Sequence, residues 1–226
     1  ERDREGHVSR ELATGIRDEA ARRLERGEAV ALPLPSPLAY CLMAATPAAI
    51  NEAKGRPRDQ AVASWIPDAT AILAEVSLDE RDAALLPWLL HTEGLTVLVA
   101  PGAKQALRPQ WQPSHRDGRL LLFGVRWAPL DDWLNAIDSP LYVSSANRTG
   151  SPSAVIAAEA RAQLPETTFV VDGDGLRDPS RKHGSTTMIS LHNGSVEVVR
   201  NGIHDAAFAS TQDWRDDLLS RAPNRA

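Results

Sequence analysis

The sequence predicts an α/β, or α+β, domain built on a mixed sheet with flanking helices. Three observations predict it. Short apolar and β-branched runs recur along the chain. Stretches with helical spacing of apolar residues separate them. The two kinds alternate irregularly and without an internal repeat, which favours a mixed sheet over a uniform array. With 226 residues, 42% of them hydrophobic and 24% charged, the chain is long enough for one sizeable core.

Residues 9–27 place Leu12, Ile16, Ala20 and Leu24 at helical spacing, with Gly27 as a stop. "EAVALPL" reads as a buried strand. "PLPSPLAYCL" reads as a proline-rich turn, stiffened by Pro33, Pro35 and Pro37, that re-enters an apolar run. "TPAAINEAK" reads as a helix with Thr46 as N-cap and Pro47 at its first position, delivering Lys54 at its end. Strands follow at "AVASWIPD", 95–100, 120–128 and 140–145, and in "TFVVDG", "STTMISL" and "SVEVVRNG". Helices are expected in "LDERDAALLPWLLHT" and "PLDDWLNAI", and in "SAVIAAEARAQL" with Ser153 as its cap. Residues 1–205 then form the domain, and 206–226 a helical tail with a frayed end.

Several chemistries find no support. The sequence has no GxxxxGK[ST] phosphate loop, no GxGxxG, no HExxH and no GxSxG, and a single cysteine, Cys41, reads as a small buried apolar residue. No metal-ligand pattern appears. The first residues, "ERDREGHVSREL", lack the apolar core of a signal peptide, and no apolar run is long enough to span a bilayer. A cytoplasmic protein without membrane contact is the expectation. His183 reads as a loop histidine.

Against a formal net charge of -5, "KGRPR" concentrates Lys54, Arg56 and Arg58 within five positions. Locally this suits a solvated helix end, where cations meet the negative end of the dipole. Four other segments add a second reading. "SSANRTG" (144–150) supplies hydroxyl and amide donors where a strand enters a loop. "HGSTT" supplies more hydroxyls beside flexible backbone. Arg126 and Arg200 each close a β-branched strand, in "FGVRW" and "VEVVRNG". Hydroxyls, backbone N–H groups and guanidinium forks are what a polyphosphate needs.

In this order, "KGRPRD", "GVRW", "LYVSSANRTG", "GSTTMISL" and "VEVVRNG" resemble the YrdC/Sua5 threonylcarbamoyladenylate synthases, over roughly residues 10–205. The Lys-x-Arg and Ser-x-Asn of that family fall on Lys54–Arg56 and Ser145–Asn147. The resemblance implies a twisted mixed sheet around a concave basic cavity, in a short single-domain form. It implies a reaction in which L-threonine, bicarbonate and ATP, with Mg2+, give threonylcarbamoyl-AMP and pyrophosphate. The product is passed to tRNA-modifying partner proteins acting on adenosine 37 of tRNA. By similarity, Lys54 and Arg56 are the catalytic pair. They bind the triphosphate with Ser145 and Asn147, and Ser185 and Arg200 serve the nucleotide. Ser36, Tyr40, Thr96 and Arg126 contact the remaining substrate.

The family's P-T-D-T-V-Y-G-L meets "PSPLAYCL" here. Ser36 and Tyr40 keep the character, while Pro37, Leu38 and Cys41 stand where an acid, a second threonine and a glycine are expected. "TEG" replaces a Pro-Gly-Pro turn, and Gln60 a lysine. Three readings stay open on the sequence: a threonine-using synthase, a paralogue taking another amine or carbamoyl substrate, and a non-catalytic nucleotide- or RNA-binding module.

Overall fold

The computed structural model describes residues 12–76, 78–101 and 107–223. Helix α1 spans Thr14–Glu25 and buries Ala20 and Leu24, as its spacing requires, and Gly27 stops it with φ of 77°. Of the expected helix 9–27, residues 9–11 lie outside the described residues. Strands β1 (Val30–Leu32) and β2 (Cys41–Ala44) are wholly buried. Helix α2 (Pro47–Ala53) begins as expected: Thr46 accepts a hydrogen bond from the Ala49 N–H, and Pro47 occupies the first turn. Lys54 closes it.

Next come β3 (Ala63–Trp65), α3 (Ala69–Glu75), α4 (Glu80–His91) and β4 (Thr96–Val99). Helix α3, capped by Asp68, has no counterpart in the sequence reading. After a 3-10 turn at Pro109–Ser114, β5 (His115–Arg116) and β6 (Arg119–Phe123) form a hairpin. Then follow α5 (Ala128–Leu134), β7 (Tyr142–Ser145), α6 (Ala157–Gln163), β8 (Phe169–Val170), β9 (Met188–His192), β10 (Ser195–Arg200) and α7 (Thr211–Ser220). Among the described residues no helix is long and apolar enough to cross a membrane.

Two expectations are corrected. The strand expected over 120–128 ends at Phe123, whose carbonyl accepts from the Ile66 N–H at 2.8 Å, and the chain then passes so close to Ile66 that a Cβ on Gly124 would lie 2.2 Å from its carbonyl oxygen. Arg126 therefore does not close a strand. Ser153 does not cap α6. The Ala154 N–H bonds to Ala146 O and keeps this stretch extended. The cap comes from afar: the Asp174 carboxylate accepts from the Ala157 N–H at 3.1 and 3.2 Å.

The ten strands form one mixed sheet, ordered β10-β9-β4-β6-β3-β7-β2-β1-β8, with β5 paired to β6. Pairs β4/β9, β3/β6 and β1/β8 are parallel and the rest antiparallel. Side chains alternate between faces. One face carries two apolar clusters. Leu42, Tyr142 and Ile50 pack with Ala157 and Ala160 in one. Val97, Leu122, Ile189 and Val196 pack with Leu86, Leu89 and Leu90 in the other, joined by Trp214 and Leu218 of α7. On the opposite face, Leu24 and Leu130 cover Met43, Trp65 and Val143. The rest of that face is open, and there the candidate site lies.

Sheet register decides who lines it. Met188 sits opposite Thr96 in β4, and Thr96 opposite Phe123 in β6. Ala63 sits opposite Val143, and Cys41 opposite Ser145. Strand β10 adds a β-bulge: Val198 pairs with Ile189, but Arg200 pairs with Met188. Without it, strict alternation would put Arg200 on the face of Val196 and Val198, in the apolar cluster. The one-residue slip moves it to the other face.

Candidate functional site

The cavity holds about 250 Å3, small beside the usual ligand pocket. Its sheet wall is the register row just described, Met188, Thr96, Phe123, Ala63, Val143, Ser145 and Cys41, with Leu34, Leu38 and Leu121. Its charged wall is Arg56, Arg116 and Arg200, beside Gln60, Ser185 and Thr186. Among the described residues no aspartate or glutamate lines it. Arg116 pairs with Asp117 at 3.2 Å at the rim, while Arg56 and Arg200 have no carboxylate partner among the described residues, so this wall attracts anions.

Arg56 is placed by α2 and the turn that follows. Its Nε donates to Asn51 Oδ1 at 2.6 Å, while the Asn51 amide donates to Arg58 O and Gln60 O. Buried Asn51 thus folds the KGR turn back on the helix and leaves the rest of the Arg56 fork to the cavity. Gly55 has φ of 64°, the left-handed value glycine adopts at no steric cost. Arg200 donates to Thr186 O at 3.1 Å and is otherwise exposed. Ser185 meets Ser153 at 2.6 Å. Gly202 lets β10's exit cross this loop: a Cβ there would lie 2.4 Å from the Thr187 N.

Lys54 does something else. It is 3% exposed and does not line the cavity. Its Nζ donates to Ser145 O at 2.5 Å, Asn147 Oδ1 at 2.6 Å and Asn147 O at 2.9 Å. Three acceptors match the three N–H groups of an ammonium. Burial, with the charges of Arg56 and Arg200, pulls Lys54 down to about 7. Asn147, also buried, accepts from Ser145 Oγ and donates to Arg148 O and Ser151 O. Lys54 and Asn147 therefore stand behind the wall and shape the loop that presents Ser145.

The remaining expected residues divide. Thr96 lines the cavity. Buried Tyr40 lines it too, and its hydroxyl donates to Asp174 at 2.6 Å. Ser36 is outside, bonded to His183 at 2.9 Å and accepting from the Asp178 N–H. Arg126 lines a different depression, with Asp68, Trp111 and Asp138. Cys41 is buried, its thiol pushed up to about 12 by desolvation.

Two residues escaped the sequence reading. Arg116 reaches the cavity because Asp117 and Gly118, with φ of 51° and 76°, make the tight turn of the β5–β6 hairpin; "DG" was the available signal. Arg177 is 7% exposed. It donates to Leu34 O at 3.0 Å, Val155 O at 2.5 Å and Leu38 O, and stacks 5.1 Å from the Tyr40 ring. It holds the whole "PSPLAYCL" stretch in place.

Among the described residues no group of three His, Cys, Asp or Glu converges to hold a metal. With no carboxylate among the described wall residues, these residues do not fit a protein-held Mg2+. A Mg2+ carried on a nucleotide's own phosphates needs no protein carboxylate.

Residues 23–202 match the sequence family of Sua5, YciO and YrdC proteins, described as telomere recombination. No curated protein matches. Several solved structures share the fold. P. abyssi Sua5 complexed with L-threonine is 21% identical, with a TM-score of 0.60, 83% of this chain and 54% of that one being covered. E. coli YciO is 15% identical with a TM-score of 0.60, over 84% and 91%. HypF in a phosphate- and nucleotide-bound form is 18% identical with a TM-score of 0.62, over 86% and 30%. The chain thus spans about half the length of the P. abyssi Sua5 it matches.

Proposed function

Because the chain belongs to the Sua5/YciO/YrdC family, we propose that the cavity binds the phosphates of ATP and transfers AMP to a carbamate, as in threonylcarbamoyladenylate synthesis. The observation that carries this reading is a cavity wall with three arginines and, among the described residues, no carboxylate. The P. abyssi Sua5 structure with L-threonine supports an amino acid as the amine, and the nucleotide-bound HypF supports a nucleotide.

The chemistry asks little covalent work of the protein. Bicarbonate yields CO2 with loss of hydroxide. The amine nitrogen adds to CO2 and loses a proton, leaving a carbamate. A carbamate oxygen then forms a bond to the α-phosphorus while the bond to the pyrophosphate oxygen breaks, and pyrophosphate departs. Arg56 and Arg200 neutralise the phosphate oxygens, Ser185 donates to them, and the concave wall, with Ser145 held by Asn147, aligns the reactants. Mg2+ enters on the nucleotide as part of the substrate. Delivery of the product to tRNA adenosine 37 through partner proteins belongs to the same proposal.

The test is pyrophosphate release from ATP, Mg2+ and bicarbonate, dependent on an added amine. No release with any amine, despite ATP binding, would leave a nucleotide-binding module. Arg56→Ala and Arg200→Ala should each weaken ATP binding about tenfold or more, since a hydrogen bond to a charged group is worth about 1.5–3 kcal/mol. Unchanged affinity in both would remove the clamp.

A further inference from the structure

The two cavity arginines that lack a carboxylate partner are held in different ways. Arg200 rests on one backbone carbonyl, that of Thr186, and is otherwise exposed. Arg56 rests on a buried side chain. Asn51, in the last turn of α2, is fully buried and does not itself line the cavity. Its Oδ1 accepts from Arg56 Nε at 2.6 Å, and its amide donates to Arg58 O at 2.9 Å and Gln60 O at 2.8 Å. Its backbone carbonyl accepts from the Arg56 N–H. The partners fix the orientation of the amide: two carbonyls require the NH2, and the Arg56 Nε–H requires the oxygen.

The consequence falls on the guanidinium. With Nε tied back, the two Nη groups, which have no partner among the described residues, form a planar fork held in one direction. Gln60, at the far end of the same clasp, also lines the cavity. An arginine fixed before its anion arrives loses less freedom on binding it, and its donors already point at the charge. Resting on the nucleotide reading above, we infer that Asn51 is a positioning residue: it acts through Arg56, fixing the guanidinium fork for the nucleotide's phosphates before they bind.

Asn51→Leu keeps a branched side chain and removes all three side-chain bonds. Pyrophosphate release should show kcat/KM for ATP about 10- to 100-fold lower, since a misplacement of about 1 Å can cost roughly 100-fold. Two double-mutant cycles on ATP affinity give the readout that a merely structural role would not move. In an Arg56→Ala background, Asn51→Leu should change affinity by less than about twofold, whereas with Arg200→Ala it should keep its full effect. Additive losses with Arg56→Ala, equal coupling to both arginines, or wild-type kcat/KM in folded Asn51→Leu would overturn the inference. The wild-type protein supplies a test that needs no variant at Asn51. The Arg56 Nε–H, assigned by its loss in Arg56→Ala, should show by NMR relaxation an order parameter of about 0.85 before any ligand is added, and a value below about 0.6 would overturn the inference. No release with any amine would sink the adenylation reading alone, because the cycles are read on binding. Absence of ATP binding would overturn both.

Discussion

Two buried cations flank the cavity, and they make the same kind of contact. Lys54 holds Ser145 and Asn147 on one side, and Arg177 holds Leu34, Leu38 and Val155 on the other. Each donates to three oxygens, neither forms an ion pair with a carboxylate among the described residues, and each fixes a loop that supplies wall residues. They differ in chemistry. A guanidinium keeps its charge at any physiological pH, whereas an ammonium at about 7 does not. The loop of Leu34 and Leu38 is thus held by a permanent charge and the loop of Ser145 by a titratable one.

The comparison breaks most visibly at Arg177. Arg177→Met would leave three carbonyls without their donor and remove the plane beneath Tyr40, so denaturant unfolding should show a loss of about 3 kcal/mol or more. A loss below about 1 kcal/mol would mean that water or neighbouring groups replace the guanidinium.

Lys54→Met should cost less near neutral pH, about 2 kcal/mol, and it sharpens the contrast through pH. Unfolded lysine keeps its proton to about 10.4, whereas folded Lys54 gives it up at about 7. Between these values the unfolded chain binds more protons, so Lys54's contribution to stability rises with pH and is lost as pH falls towards 7. The stability difference between wild type and Lys54→Met should climb by up to about 1.4 kcal/mol per pH unit in that window. Arg177→Met against wild type should show no such slope. A flat Lys54 curve would place its proton firmly on the nitrogen throughout.

The smallest effect is expected at Tyr40→Phe. It removes the bond to Asp174 and the acceptor for the Gly173 N–H, but keeps the ring under Arg177 and the Asp174 cap on α6. About 1 kcal/mol in chemical denaturation fits that loss, with ATP affinity unchanged.

Much of this was legible in the chain, and the limits have physical causes. The Lys54 turn announces itself because its charges are adjacent and end a capped helix. Arg177 does not, because "GLRDPS" reads as a solvated loop and the three carbonyls it meets lie 22 to 143 residues away in sequence. Arg126 lies beyond its strand because β6 stops at Phe123, beside a tertiary approach of Gly124 to Ile66 that local sequence does not reveal. Leu38 and Cys41 depart from the family motif, but only the sheet register shows Cys41 on one face with Val143 and Phe123, and only the bridge to Gly184 brings Leu38 to the same cavity. The fold class followed from periodicity; the order of ten strands did not, since parallel neighbours such as β4 and β9 are far apart in the chain.

The bulge in β10 reaches beyond the cavity. Strand β10 is an edge of the sheet, and a straight, regular edge invites another chain to add a strand and start an aggregate. The extra residue at Val199 interrupts the even row of N–H and C=O groups, and charged Glu197 and Arg200 flank it. The opposite edge, β8, is two residues long. The irregularity that aims an arginine at the cavity also makes this edge a poor template, so straightening it by deleting Val199 should favour self-association as well as misdirect Arg200.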